Sequence, residues 1–430
     1  MKRLLSRVLS TIRPERDELA RETRFAKLLM KHISKNVPRG CKVVLTGSVA
    51  KQTFLRDKRD VDIFILFPRK VPKGSLEGKL KRIMKSAFPG IGYQLSYAEH
   101  PYARFHFEGR RIDLVPAYKI SKASERVSAV DRSVLHTRYV MRSLKKSKRD
   151  DVLLLKQFLR SSSIYGAEIK IGGFSGYLCE LLIISYGSFP KLLRAAARWK
   201  PAIFIDLKRY YKTKKQTSEA LEHFDSDLVV IDPTDKDRNV AAAVTKGNLK
   251  KFISLSKRFS KKPSDSFFFR RKESFESKVA KAASTGAGFL ITLPRPDIVD
   301  DVLWGQLHKL MKQLKVSLKG FEPKKILADD HRHLVRIAIF FKNEKLPEKM
   351  LIAGPPLKMR EHVAHFRKRH KRARFKKKNG KLFAEANRKV TRPEKAIRLF
   401  LKDFSKTKSH LAYPEEIVIV KKIRAKTKSL

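Results

Sequence analysis

The run Gly47-Ser-Val-Ala-Lys-Gln-Thr-Phe-Leu-Arg-Asp-Lys-Arg-Asp-Val-Asp-Ile-Phe64 reads as a turn, a short helix and the start of a strand. It continues through Ile65-Leu-Phe67 to Pro68, so the strand is apolar except for Asp60 and Asp62 at its start. Side chains two apart on a strand share a face, which sets these acids about 6.5–7 Å apart at the backbone. Two such charges repel by roughly 2.4 kcal/mol at an effective dielectric near 20, a cost that a cation between them removes. By itself Asp-x-Asp is an ordinary strand end with solvated acids. Here a short buried strand, Cys41-Lys-Val-Val-Leu45, and the turn Thr46-Gly47-Ser48 stand just ahead of it. Glycine lets backbone approach a phosphate closely, and Ser48 with the amides that follow can donate to its oxygens.

A third acid, Asp113, lies inside the apolar run Arg111-Ile-Asp-Leu-Val115. Such an Asp is costly unless it is paired or bound to a metal. Three carboxylates on neighbouring strands suit hard cations and can hold two Mg²⁺ about 4 Å apart.

Charge points to the partner. Lys and Arg total 99 against 42 Asp and Glu, a net +57 that calls for a polyanion, and nucleic acid is the usual one. No run approaches the roughly 20 apolar residues of a membrane span; the best, Leu178 to Ile184, is interrupted by Glu180. The start, with Arg7 and Arg13, is a poor secretory signal. Cys41 and Cys179 are far apart and lack metal-ligand spacing, so neither a disulfide framework nor a zinc site is expected and a cytoplasmic location fits.

A helix is expected at 15–36, then strands at 41–45, 61–67, 104–108 and 111–115, ending near the basic linker 145–149. From there the chain is mainly helical, near 151–161, 176–185, 189–199 and 239–259, with strand-like patches at 202–206 and 228–231. After Pro263 come a strand at 288–293, a helix near 298–316 and a strand at 334–341. The stretch 358–381 is the most basic, with a single acid, Glu361, and interspersed Phe366, His370 and Phe375. Such a mixture suits phosphate contact plus base stacking, with Arg369, Lys371 and Arg372 as RNA-binding candidates; the alternative is a disordered cationic loop.

The segment 47–64 resembles the head signature of the DNA polymerase beta-like nucleotidyltransferases in their archaeal (class I) CCA-adding form. The similarity runs on through Tyr97-Ala-Glu-His-Pro-Tyr102, Ile112-Asp-Leu-Val-Pro-Ala-Tyr118, Ser128-Ala-Val-Asp-Arg132 with His136, and Ile164-Tyr-Gly-Ala-Glu168. It continues in Gly172-Gly-Phe-Ser-Gly-Tyr-Leu-Cys-Glu-Leu-Leu182, Val230-Ile-Asp-Pro233 with Arg238-Asn-Val-Ala-Ala242, and Arg295-Pro-Asp-Ile-Val-Asp-Asp301. It loosens over the last 125 or so residues.

The resemblance implies an α+β multidomain chain: a head with a mixed sheet at 1–143, a helical neck at 144–264, a body at 265–305 and 385–430, and a basic tail at 306–384. It implies addition of C, C and A to the tRNA 3′ end from CTP and ATP. Asp60, Asp62 and Asp113 would be catalytic and hold Mg²⁺. Ser48, Lys51, His136, Lys156 and Tyr165 would contact the triphosphate, and Arg238 would help read the base. Lys51 stands where the family usually has Arg, a point charge in place of a fork; Phe54 replaces the usual Trp, a packing change. From the residues alone, Lys156 lies beside the apolar face of its helix, while His136, Tyr165 and Arg238 could equally be ordinary surface or capping groups. A poly(A) polymerase or oligoadenylate synthetase relative shares the head, and a noncatalytic RNA-binding protein could keep the fold. A homodimer is compatible with the sequence, which does not set the oligomeric state.

Overall fold

The computed structural model describes residues 1–97, 101–270, 273–284 and 286–423. Positions 98–100 of the Tyr97–Tyr102 motif and the end of the expected body, 424–430, lie outside them. The chain divides into two compact units, Met1–Lys272 and Glu273–Leu430.

The first unit begins with helices α1 (Lys2–Ile12) and α2 (Arg16–Ser34), then β1 (Lys42–Thr46), α3 (Gly47–Lys51), β2 (Val61–Phe67), α4 (Leu76–Ala87), β3 (Tyr93–Tyr97), β4 (Pro101–Phe107) and β5 (Arg110–Tyr118). The strands form one sheet in the order β1-β2-β5-β4-β3. β2 and β5 are parallel and the other neighbours antiparallel, the expected mixed sheet. Both faces of β2 are covered: Val61, Ile63, Ile65 and Phe67 enter one core, Phe64 and Leu66 a second. That double burial is why the strand reads as a continuous apolar run.

The rest of this unit is α5 (Arg132–Ser143), α6 (Arg149–Ser161), α7 (Gly176–Tyr186), α8 (Phe189–Ala196), β6 (Ile203–Ile205), α9 (Lys214–Phe224), β7 (Leu228–Asp232), β8 (Asp235–Asn239) and α10 (Lys246–Lys261). A cluster of Phe158, Phe189, Phe252, Phe259 and Phe268 centres its core. Val8 and Ile12 of α1 enter that same core, so the first helix packs with the helical part rather than the sheet. The basic run expected as a linker leads directly into α6. The helix expected at 239–259 starts only at Lys246. Buried Asn239 explains the difference: its side chain accepts from the Val230 and Ala241 amides and donates to the Leu228 carbonyl, holding 235–239 as an edge strand.

The second unit contains α11 (Phe275–Ala283), β9 (Gly288–Pro294), α12 (Asp300–Ser317), β10 (Pro323–His331), β11 (Leu334–Phe341), β12 (Lys349–Pro356), α13 (Arg360–Arg369), β13 (Arg374–Lys378), β14 (Lys381–Asn387), α14 (Pro393–Phe404) and β15 (Ile419–Ile423). β10-β11-β9-β15 form one antiparallel sheet and β12-β14-β13 another. The boundary expected at 305/306 falls inside α12, whose Leu303, Leu307, Leu310 and Leu314 pack in one core with Ile397 and Leu401 of α14.

Candidate active site

Thr46 faces Asp62 across the antiparallel pair β1–β2, and the chain turns at once into α3 through Gly47 at φ +68°. A Cβ there would sit 1.8 Å from Asp62 Oδ2. The turn therefore needs glycine twice, for its left-handed backbone and to leave room for a carboxylate. On the other side of β2, Asp62 is the register partner of Asp113 in β5.

The three acids differ in what holds them. Arg104, opposite Asp113 on β4, grips it with two bonds of 2.7 Å. Arg111 donates to Asp60 at 2.5 Å. Among the described residues Asp62 has no ion-pair partner of its own. Burial, then the charges of Asp113 and Asp60, push its carboxyl up to about 6. No group of three or more His, Cys, Asp or Glu among the described residues is drawn together as a ready metal cage. The donor set is nonetheless all carboxylate oxygen, and the charges of Lys51 and Arg111 do not make up for the burial of Asp62 and the two neighbouring acids, which fits a hard divalent ion.

A cleft of about 250 Å³ opens on Asp60, Asp62 and Arg111, with Gly47, Ser48, Lys51, Lys156, Tyr165, Tyr177 and Glu180 also in its lining; Asp113 stands behind Asp62 and is not part of that lining. Lys51 and Lys156 are nearly inaccessible, and Glu180, on the otherwise apolar α7, is wholly buried. Lys51 donates to Glu180 Oε2 at 2.6 Å, and the Thr53 hydroxyl to Oε1 at 2.6 Å. Lys156 donates to the Thr53 carbonyl at 2.7 Å and stands 3.7 Å from Glu180 Oε1. Burial alone would raise the Glu180 carboxyl; Lys51 and Lys156 outweigh it and hold it below its usual value. Two ammonium groups against one carboxylate leave the wall with an excess positive charge. Tyr165 lies close by: a Cβ on Gly176 would meet its hydroxyl at 3.2 Å and the Lys156 Nζ at 3.6 Å.

His136 and Arg238 are not in that lining. They meet instead at buried Asp232, His136 Nε2 at 2.8 Å and Arg238 Nη1 at 2.8 Å, with Thr234 and the Tyr177 hydroxyl on its other oxygen. Burial pushes the His136 imidazole down despite Asp232; because an ionised carboxylate only accepts, Nε2 carries the proton of the bond between them. Burial opposes the Asp232 charge, but bonds from His136 and Thr234 with the Arg238 charge keep the carboxyl well below the usual range. The His136 ring stacks on Tyr177 at 4.1 Å, and Tyr177 lines the cleft, so this cluster adjoins it through one aromatic ring.

Sequence reasoning missed Glu180, Asp232, Tyr177, Arg104 and Arg111 as site residues. Glu180 did carry a signal, an acid inside an apolar run, which means a buried partner. Arg104 carried none, because only strand register sets it opposite Asp113. In the second unit, Arg369, Lys371 and Arg372 are exposed at the end of α13 and in the turn before β13. The basic stretch is thus folded as helix, turn and strand. Its aromatic rings are half-buried, with Phe366 against His370 at 4.6 Å and against Phe375 at 6.3 Å.

Three family models match: a nucleotidyltransferase domain at residues 27–136, a tRNA nucleotidyltransferase second domain at 150–269, and a CCA-adding enzyme C-terminal domain at 285–410. The chain is 35% identical over 381 residues to the CCA-adding enzyme of Methanothermobacter thermautotrophicus, covering 85% of this chain and 82% of that one. It is 34% identical over 399 residues to that of Methanocaldococcus jannaschii, covering 90% and 88%. Among solved structures, the Cid1 poly(U) polymerase with bound Mg 3′-dATP matches at a TM-score of 0.50 and 13% identity, covering 63% of this chain and 98% of that one, a likeness of fold. Among the described residues no helix is long and apolar enough to cross a membrane.

Proposed function

The chain belongs to the archaeal-type CCA-adding enzymes, and from that premise we propose that it builds the 3′ end of tRNA, adding C, C and A from CTP and ATP without a template and releasing pyrophosphate at each addition. The observation that carries the reading is the meeting, in one cleft, of the unpaired Asp62 carboxylate beside Asp113 with the two buried lysines around Glu180.

Asp60, Asp62 and Asp113 would hold Mg²⁺. Bound there, the metal supplies Lewis acidity for the attacking 3′-hydroxyl and charge neutralisation for the departing pyrophosphate. The chain's own groups do the rest. Lys51 and Lys156 offer their surplus positive charge to the triphosphate, and Ser48 and Tyr165 offer hydroxyl donors. Gly47 keeps the turn thin enough for Asp62 to lie against it. Asp232 orients Arg238 and fixes the His136 tautomer, so that rigid donors face the base and adjoining phosphates. The base-blind lysines and the Asp232 cluster thus divide grip from choice. We place the activity in the cytoplasm with its tRNA substrate, and tRNA contact by Arg369, Lys371 and Arg372 belongs to the same proposal.

The test is incubation with Mg²⁺, tRNA lacking its terminal CCA, and each NTP separately. Incorporation of CTP and then ATP is expected; long A tails from ATP on any RNA would point to a poly(A) polymerase instead.

A further inference from the structure

Glu180 is the buried charge in the cleft wall to which the chemistry above gives no task. A lone carboxylate on an apolar helix is costly, and Glu180 is wholly inaccessible, so its place must be repaid by partners. Those partners come from separate stretches of chain: Lys51 from α3, Thr53 from the loop after it, and Lys156 from α6. The Thr53 hydroxyl gives its proton to Glu180 and accepts from Lys156 at 3.3 Å, so one acid fixes one lysine directly and the other through a relay. Without the carboxylate, two long, flexible ammonium side chains would repel each other in a buried wall. With it, Lys51 spends one of its three N–H donors on Glu180 and keeps the others for a ligand.

We propose that Glu180 is the positioning residue of the triphosphate grip. It does not touch the nucleotide; it sets where Lys51 and Lys156 present their charge, equally for CTP and ATP. The inference rests on the reading of this cleft as a triphosphate site.

Glu180→Gln keeps the shape and removes the charge. Were Glu180 merely an opposing charge, its loss would leave the wall more positive, and KM for CTP and ATP would fall. Were it merely structural, the melting temperature would drop while KM, measured well below it, stayed put. Positioning requires KM to rise about tenfold or more, by the same factor for CTP and ATP, with the C-to-A order intact. A fall, no change, or a rise for one nucleotide alone overturns the proposal. If Glu180→Gln fails to fold, Thr53→Val cuts the relay while keeping every charge, and should raise both KM values severalfold; unchanged values there overturn it equally. A wild-type protein that incorporates neither CTP nor ATP would sink the triphosphate reading itself, whereas normal wild-type addition with an unmoved variant would sink only the role of Glu180.

Discussion

Gly47 and Asp62 occupy one space: a single methyl on Gly47 would lie 1.8 Å from the Asp62 carboxylate oxygen. The turn before α3 and the acid on β2 are therefore parts of one device. Gly47→Ala should displace Asp62 and place alanine at a left-handed φ, costing about 1–2 kcal/mol of stability. Nucleotide transfer should fall at least about a hundredfold. Thermal melts and initial rates on CCA-less tRNA measure both, and near-normal transfer would refute the close approach.

Asp62 and Asp113 should respond oppositely to neutralisation. Folded Asp62 titrates at about 6, above its ordinary 3.8. Below about 4 both folded and unfolded forms are protonated; as pH rises to about 6 the unfolded chain ionises first, so stability is lost across that window and stays lost above it. At pH 8 without metal, Asp62→Asn should raise the melting temperature by about 2–4 °C. Asp113→Asn should lower it, because Arg104 loses both its bonds. Added Mg²⁺ should stabilise the wild type and not Asp62→Asn. Both variants, and Asp60→Asn, should lose transfer yet still bind tRNA.

The proposed reading gives the Asp232 cluster the choice of base. Arg238→Ala should disturb selection between C and A, whereas Lys156→Ala should raise the KM of both nucleotides alike. Asp232→Asn should reproduce the Arg238→Ala error pattern, and the double variant should add little, since the two side chains act as one unit. Competition between labelled CTP and ATP reads this; unchanged selection in Arg238→Ala would remove it from base reading.

Exposed Arg369, Lys371 and Arg372 give a prediction in salt. If all three neutralise phosphates, their joint change to Ala should flatten the log–log salt dependence of tRNA binding by about two to three units. Saturating tRNA should restore kcat. An unchanged slope would mean that they make no phosphate contact.

How far the sequence could be read follows from what each residue answers to. The Val61–Phe67 strand was legible because its continuous apolar run answers to burial on both faces, a property of the segment itself. Arg104 and Arg111 were not, because their role comes from register between strands distant in sequence. Glu180 was visible as an interruption of an apolar run, yet its meaning depended on lysines about 24 and 129 residues away. Asn239 held the start of an expected helix as edge strand through three side-chain bonds to backbone that no periodicity reveals. In 358–381 the charge pattern was plain, but the contacts of the half-buried Phe366 with His370 and Phe375 depend on how helix and strand fold back on each other.

The most direct measurement follows radiolabel into tRNA lacking its last three nucleotides, with Mg²⁺ and purified wild-type protein beside Asp62→Asn. CTP alone should add two residues and stop. ATP should enter only once both are present, GTP and UTP should enter little, and Asp62→Asn should incorporate nothing. Substantial incorporation by Asp62→Asn, or A tails growing from ATP alone, would contradict the account.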